Sequence, residues 1–237
     1  LSNQATAAAR IGTYAGASDF STGLFDEYRV SKGGARWTAP FTPSTTPYTA
    51  DANTQLLLHL ENNVTDSETV PKVVTNNSVT FVGLSKFGTG SLVLNGTSDY
   101  ATWPDSENWN FGSQNFTIDC WVNIRSYPSS SSYMVASQYT AVGTQWYFAL
   151  TDDGASNRTW AFYSAGGSGT IDIQKTTTLS LNAWHHIALV RSGSNFYIYE
   201  DGTQLGTTAT SAFTTVNVAD PLWVGARNRI GGDQFLN

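Results

Sequence analysis

The chain is 237 residues long, with a formal net charge of −6 and only 13% Asp, Glu, Lys and Arg, about half the usual share. A weakly charged, acidic surface of this kind offers no electrostatic footprint for nucleic acid or anionic lipid. No apolar run approaches the roughly 20 residues of a membrane-spanning helix, and the single cysteine, Cys120, excludes an internal disulfide.

The first clear strand is Leu24-Phe25-Asp26-Glu27-Tyr28-Arg29-Val30. Gly33-Gly34 and the prolines Pro40, Pro43 and Pro47 follow it and stop regular structure. Residues 31–54 therefore read as a semi-extended linker, with Trp37 and Phe41 pinning it to a neighbouring surface. From Thr54 onward short runs with period two dominate: TQLLLHLE, SVTFVG, SLVLNG, YATWP, FTIDCWVN, QWYFAL, TWAFYS, WHHIALVRS, NFYIYE and PLWVGA. Turn residues separate them at Asn95-Gly96, Asp152-Asp153-Gly154, Ser192-Gly193-Ser194 and Asp201-Gly202. The last of these predicts a tight hairpin with positive φ at both turn positions. No segment carries helical periodicity. The pattern predicts an all-β chain folded as a two-sheet antiparallel sandwich.

Within FTIDCWVN, Phe116, Ile118, Cys120 and Val122 alternate onto one face, which makes Cys120 a buried, inert thiol. Asp119, Trp121 and Asn123 fall on the other face. In NFYIYE, Phe196 and Ile198 separate in the same way from Tyr197 and Tyr199. Trp103 and Trp109, flanking Pro104, are expected to brace a loop.

QLLLHLENNVTDSE, KFGTGSLVLNGTSDYATWPDSENWNFGSQNFTIDCWVN, LNAWHHIALVRSGSNFYIYEDGTQLG and PLWVGA occur in that order and resemble the laminin-G-like, concanavalin A-like lectin/glucanase domain. The variety repeated in bacteriophage tail fibres is the nearest in flavour. The resemblance covers about residues 55–237 and implies a jelly-roll sandwich. In that family the closing strand resembles the words at Gly23–Pro43, which here come before the rest of the domain. ARIGTYAGASDFSTG at residues 9–23 also resembles LWVGARNRIGGDQFLN at residues 222–237, an internal repeat that signals a tandem array. Residues 1–30 thus read as the end of a preceding repeat, residues 31–54 as a linker, and residues 55–237 as a sandwich lacking its own last strand. Two closures are open. Gly23–Val30 can fill the slot in its own chain, beside TQLLLHLE and near Pro221–Ala226, or donate itself to a neighbouring copy. The duplicated segment favours exchange between copies.

The same sandwich hosts glucanases, whose chemistry needs two carboxyl groups about 5 Å apart. The nearest stretch, Thr170-Ile171-Asp172-Ile173-Gln174, keeps the central acid and replaces both flanking glutamates. Neither Thr nor Gln can be the nucleophile or the acid, so no enzyme activity is expected. His185 and His186 are adjacent on a strand and cannot share a metal, His59 is a structural histidine, and no serine has a candidate base. The resemblance implies a structural calcium ion held by carboxylate and carbonyl oxygens, with Asp26, Asp99 and Asp105 as candidate ligands. Asp119, Trp121, Asn123, Tyr197 and Tyr199 form the candidate carbohydrate-binding platform on an exposed sheet face. The expected role is a non-enzymatic module of a virion fibre, contacting host glycans and adjacent copies of itself. The alternatives are a carbohydrate-binding module of a secreted polysaccharide-degrading enzyme and a bacterial surface adhesin.

Overall fold

A computed structural model describes residues 17–18, 20–68, 74–128, 132–141, 143–152, 157–166 and 169–228. Eighteen strands make up the described secondary structure, and no helix occurs among the described residues. In chain order they are β1 (Ala17–Ser18), β2 (Thr22–Lys32), β3 (Thr54–Leu58), β4 (Thr75–Asn77), β5 (Thr80–Val82) and β6 (Ser91–Asn95). Then come β7 (Tyr100–Trp103), β8 (Phe116–Ile124), β9 (Ser132–Ala141), β10 (Thr144–Asp152), β11 (Arg158–Gly166) and β12 (Gly169–Thr176). The chain continues with β13 (Trp184–Ser192), β14 (Asn195–Glu200), β15 (Thr203–Gln204), β16 (Ala209–Thr210), β17 (Leu222–Val224) and β18 (Arg227–Asn228).

Nine strands form one antiparallel sheet along the path β15-β14-β13-β8-β2-β6-β5, with β16 beside β14 and β3 beside β2. Seven form the facing sheet in the order β12-β11-β10-β9-β17-β7-β4, and β1 pairs with β18 apart from both. The core between the sheets takes alternate residues from each strand. Phe116, Ile118, Cys120 and Val122 of β8 lie there beside Ile187 and Leu189, facing Trp146, Phe148, Trp160 and Phe162. Burial pushes the Cys120 thiol well above its ordinary range, which keeps it inert. Trp103 and Trp109 belong to this core and are fully buried, and Trp109 braces the loop between them as expected, its indole N–H donating to the Pro104 carbonyl at 3.0 Å. The Asp201-Gly202 hairpin forms as its composition demands, with φ of 49° and 77°. Asp153-Gly154 and the repeated segments at 9–16 and 229–237 lie outside the described residues.

The strand Gly23–Val30 lies within β2, deep in the nine-stranded sheet of its own chain, between β8 and β6 with β3 alongside. Every residue from Gly23 to Ser31 is buried. The Ser21 amide donates to the Gly225 carbonyl at 2.8 Å, so the strand enters beside the end of β17. Of the two closures open in the sequence, this chain shows the one within the chain. The reason is geometric: residues 33–53 are long enough to carry the chain from the end of β2 back to β3, antiparallel and adjacent. Residues 55–237 are therefore completed by residues 22–32 and form a single sandwich with them.

Candidate functional site

The outer face of the nine-stranded sheet is built in cross-strand rows. Arg29, Asp119, Ala188 and Tyr199 occupy one row, and Asp26, Trp121 and His186 the next. Leu24, Asn123 and Trp184 form a third. A regular strand could not supply both Asp26 and Arg29 to this face, because they are three residues apart. The register of β2 against β8 shifts between them, from Asp26↔Trp121 to Arg29↔Asp119. Glu27 absorbs the extra residue at φ 48°, a left-handed conformation that a side chain tolerates only when its surroundings hold it there. Those surroundings are hydrogen bonds. Glu27 Oε2 accepts from the Tyr48 amide at 2.7 Å, and its Oε1 lies 2.8 Å from His59 Nδ1. Asp26 accepts from three backbone amides, Glu27 at 2.9 Å, Lys86 at 2.7 Å and Phe87 at 3.0 Å.

Asp119 is fully buried and meets Arg29 through two hydrogen bonds, Nε to Oδ1 at 3.0 Å and Nη2 to Oδ2 at 2.8 Å. Burial works against its charge, but the guanidinium and His186, whose Nε2 lies 3.5 Å away, hold its carboxyl below the usual range. This pair sits under residues 33–53, which form a strap rather than a free linker. Trp37 stacks on Phe41 at 4.0 Å, and both rings meet His186 edge-on at 5.5 Å. The Arg29 guanidinium lies 4.1 Å from the Tyr48 ring centroid. The Phe41 amide donates to the Gly202 carbonyl at 2.9 Å. Arg36 closes the strap on itself through two 3.0 Å hydrogen bonds to Asp51.

The predicted platform residues thus share one face, as their alternation requires, but the strap covers that face. Asp119 and Tyr199 are fully buried, Asn123 is 2% exposed and Trp121 is 5% exposed; only Tyr197 is partly open. The expectation of an exposed platform is corrected accordingly. Beyond the strap the face stays open. There Phe87, Trp121 and Trp184, with Lys86, Asp201 and strap residues Pro43, Ser44 and Thr45, line a depression of about 560 Å³. That volume lies within the range of small-molecule sites. Phe87 meets Trp121 edge-on at 5.9 Å, and Lys86 Nζ stands 3.9 Å from the Trp121 ring centroid. The indole N–H groups of Trp121 and Trp184 are buried and meet no acceptor among the described residues. Lys86, Phe87, Trp184 and Asp201 carry no sequence signal as a site, since loop, strand and turn bring them together only in the fold.

The calcium candidates do not converge. Asp26 offers its oxygens to three N–H donors, an environment that repels a cation. Asp99 accepts from the Ser98 hydroxyl at 3.1 Å on the turn between β6 and β7, and Asp105 is exposed in a separate loop. Among the described residues no group of three His, Cys, Asp or Glu side chains could hold a metal ion.

The structure also supplies a base for a serine, against the sequence expectation. His185 Nδ1 lies 2.7 Å from Asp201 Oδ2, and Nε2 lies 3.0 Å from Ser180 Oγ and 3.1 Å from the Ser180 carbonyl. The arrangement resembles a nucleophile–base–acid chain. A general base needs a free lone pair at Nε2, however, and a carbonyl oxygen at 3.1 Å calls for a donor there. The hydrogen bond to Asp201 raises the His185 pKa against the effect of burial, which favours an imidazolium donating from both nitrogens. Ser180, His185 and Asp201 act as a pin between turns.

Residues 95–237 match the laminin-G model of the concanavalin A-like lectin/glucanases superfamily. A comparison with curated proteins returns no match. Among solved structures, full-length tailspike protein 2 from Escherichia coli O157:H7 bacteriophage CAB120 aligns with TM-score 0.50 and 13% identity, over 69% of this chain and 25% of the tailspike. The chain therefore spans about a quarter of that protein. The enzymatically active domain of bacteriophage CBA120 tailspike protein 2 aligns with TM-score 0.37 and 12% identity, over 55% of this chain and 24% of that one. Bacillus licheniformis β-glucanase aligns with TM-score 0.33 and 11% identity, over 92% of this chain and 88% of the enzyme. With more than half its length under the family model and the two-sheet sandwich in place, the chain belongs to the concanavalin A-like lectin/glucanases superfamily as a laminin-G-like domain.

Proposed function

We propose that this chain is a glycan-recognition module of an extended virion fibre, and that it holds saccharide in the depression beside the strap. The observation that carries the reading is the aromatic wall. Phe87 and Trp184, both half-buried, flank one open site floored by the buried Trp121, and aromatic rings present the flat apolar surface on which a sugar ring stacks. Polar groups from Ser44, Thr45, Lys86 and Asp201 surround the rings and suit hydroxyl recognition. Membership of a lectin/glucanase superfamily and likeness in fold to a phage tailspike support a role of this kind.

Binding without hydrolysis is part of the proposal. Among the described residues Asp201 is the only carboxylate lining the depression, and a glycosidase needs a second one across the scissile bond. A glycan array probed with the wild type and with Trp184→Ala tests the site. Loss of signal in the variant is expected. Wild-type binding that survives both Trp184→Ala and Trp121→Ala would move the sugar elsewhere.

A further inference from the structure

The charges around the depression specify the ligand more narrowly. Each acid near it has its own partner. Asp119 is paired with Arg29, Glu27 with His59 and the Tyr48 amide, Asp201 with His185 and the His186 amide, and Asp26 with three backbone amides. Lys86 has no acidic partner among the described residues. Its ammonium rests over Trp121, 3.9 Å from that ring centroid and 5.7 Å from that of Phe87. Stacking over an aromatic face gives a cation only a weak hold, on the order of 1 kcal/mol where the site is wet. A carboxylate offers a stronger, charge-assisted hydrogen bond. The depression therefore combines a ring-stacking wall with one uncommitted positive charge at its edge.

We infer that the saccharide taken here is acidic, with a carboxylate on the ring that stacks against Trp121 and Trp184 and a hydrogen bond from that carboxylate to Lys86. This rests on the proposed glycan site and narrows its ligand. A neutral sugar would leave Lys86 on the indole and gain only stacking and hydroxyl contacts. A carboxylated one draws the ammonium off the ring, uncovers the Trp121 face and neutralises the charge in one movement.

The test uses titration calorimetry with fragments of polymannuronate, polygalacturonate and polysialate, each compared with its carboxyl-reduced counterpart. At least one acidic fragment is expected to bind about tenfold or more tightly than its reduced form, as one charge-assisted hydrogen bond implies. Raising the salt should weaken it. Lys86→Met keeps the apolar stem over Trp121 and should remove the preference, and Lys86→Arg should restore it. Equal binding of acidic and reduced fragments, or a preference that survives Lys86→Met, would overturn the inference and leave the glycan site standing. Failure of every fragment, acidic and reduced, would overturn both.

Discussion

The two halves of the outer face of the nine-stranded sheet come from the same strands and the same alternation, yet they have opposite characters. Under the strap, Arg29, Asp119 and Tyr199 are sealed from water, and every charge there is matched at hydrogen-bond distance. Beyond it, half-buried Phe87, Trp184 and Lys86 border an open depression over the buried Trp121, with a charge to spare. Apart from the bulge at Glu27 the strands alternate regularly across both halves, so the difference comes from where an irregular segment happens to lie. An alternating pattern decides which side of a sheet a residue takes, and a covering segment decides whether that side is core or surface.

The sharpest way to break the covered half is to remove one partner of its ion pair. Arg29→Met should cost about 3–5 kcal/mol in urea unfolding, because Asp119 is left charged and dry. Arg29→Met combined with Asp119→Leu should recover most of that loss. The next effect is pH. Burial, against three amide donors, carries the Asp26 carboxyl from 3.8 to about 7. Since the folded value stands above the unfolded one, folding favours the protonated form. Its contribution is whole below about pH 4 and is lost as pH rises through 7. The thermal midpoint should fall by about 5–10 °C between pH 5 and pH 8, the shift that roughly 2–3 kcal/mol produces in a domain of this size, and Asp26→Asn should flatten the slope. Asp51 behaves in the opposite sense. Burial is the largest single effect and raises it, but the hydrogen bonds and charge of Arg36, with Thr54, together hold it at about 2, so its contribution disappears only in strong acid.

The boundary between the halves can be probed at the hairpin turn. Gly202 has φ 77°, and a Cβ there would overlap the Phe41 carbonyl that the strap rests on. Gly202→Ala should cost about 1–2 kcal/mol and expose residues 33–53 to limited proteolysis while the sheet stays folded. The smallest effect belongs to the open half. Lys86→Met should shift stability by less than about 0.5 kcal/mol, because nothing folded depends on that charge.

Much of the nine-stranded sheet was legible in advance, for particular reasons. FTIDCWVN and NFYIYE alternate without interruption, so their faces could be read residue by residue. Asp201-Gly202 demands its turn. The bulge at Glu27 left no trace in FDEYRV, because a single extra residue breaks no pattern that six residues can establish. The packing of the strap was legible from Trp37 and Phe41, which pin it to the sheet as expected. Proline-rich sequence without periodicity does not say which surface it covers, so the burial of Asp119 went unread. The depression could not be read at all, since Lys86, Trp184 and Asp201 are far apart in sequence and carry no spacing that links them.

The position of β2 also has a consequence in time. Arg29 and Asp119 are neighbours in the sheet and 90 positions apart in the chain. During synthesis β2 has no central partner until β8 emerges, which takes roughly 5–20 s at ribosomal rates. Pairing over so long a loop is slow in any case. An apolar strand waiting that long is an aggregation hazard, and β2 carries Asp26, Glu27, Arg29 and Lys32 along its length. The charges that later hold the Glu27 bulge and make the buried ion pair first serve as gatekeepers of a nascent chain.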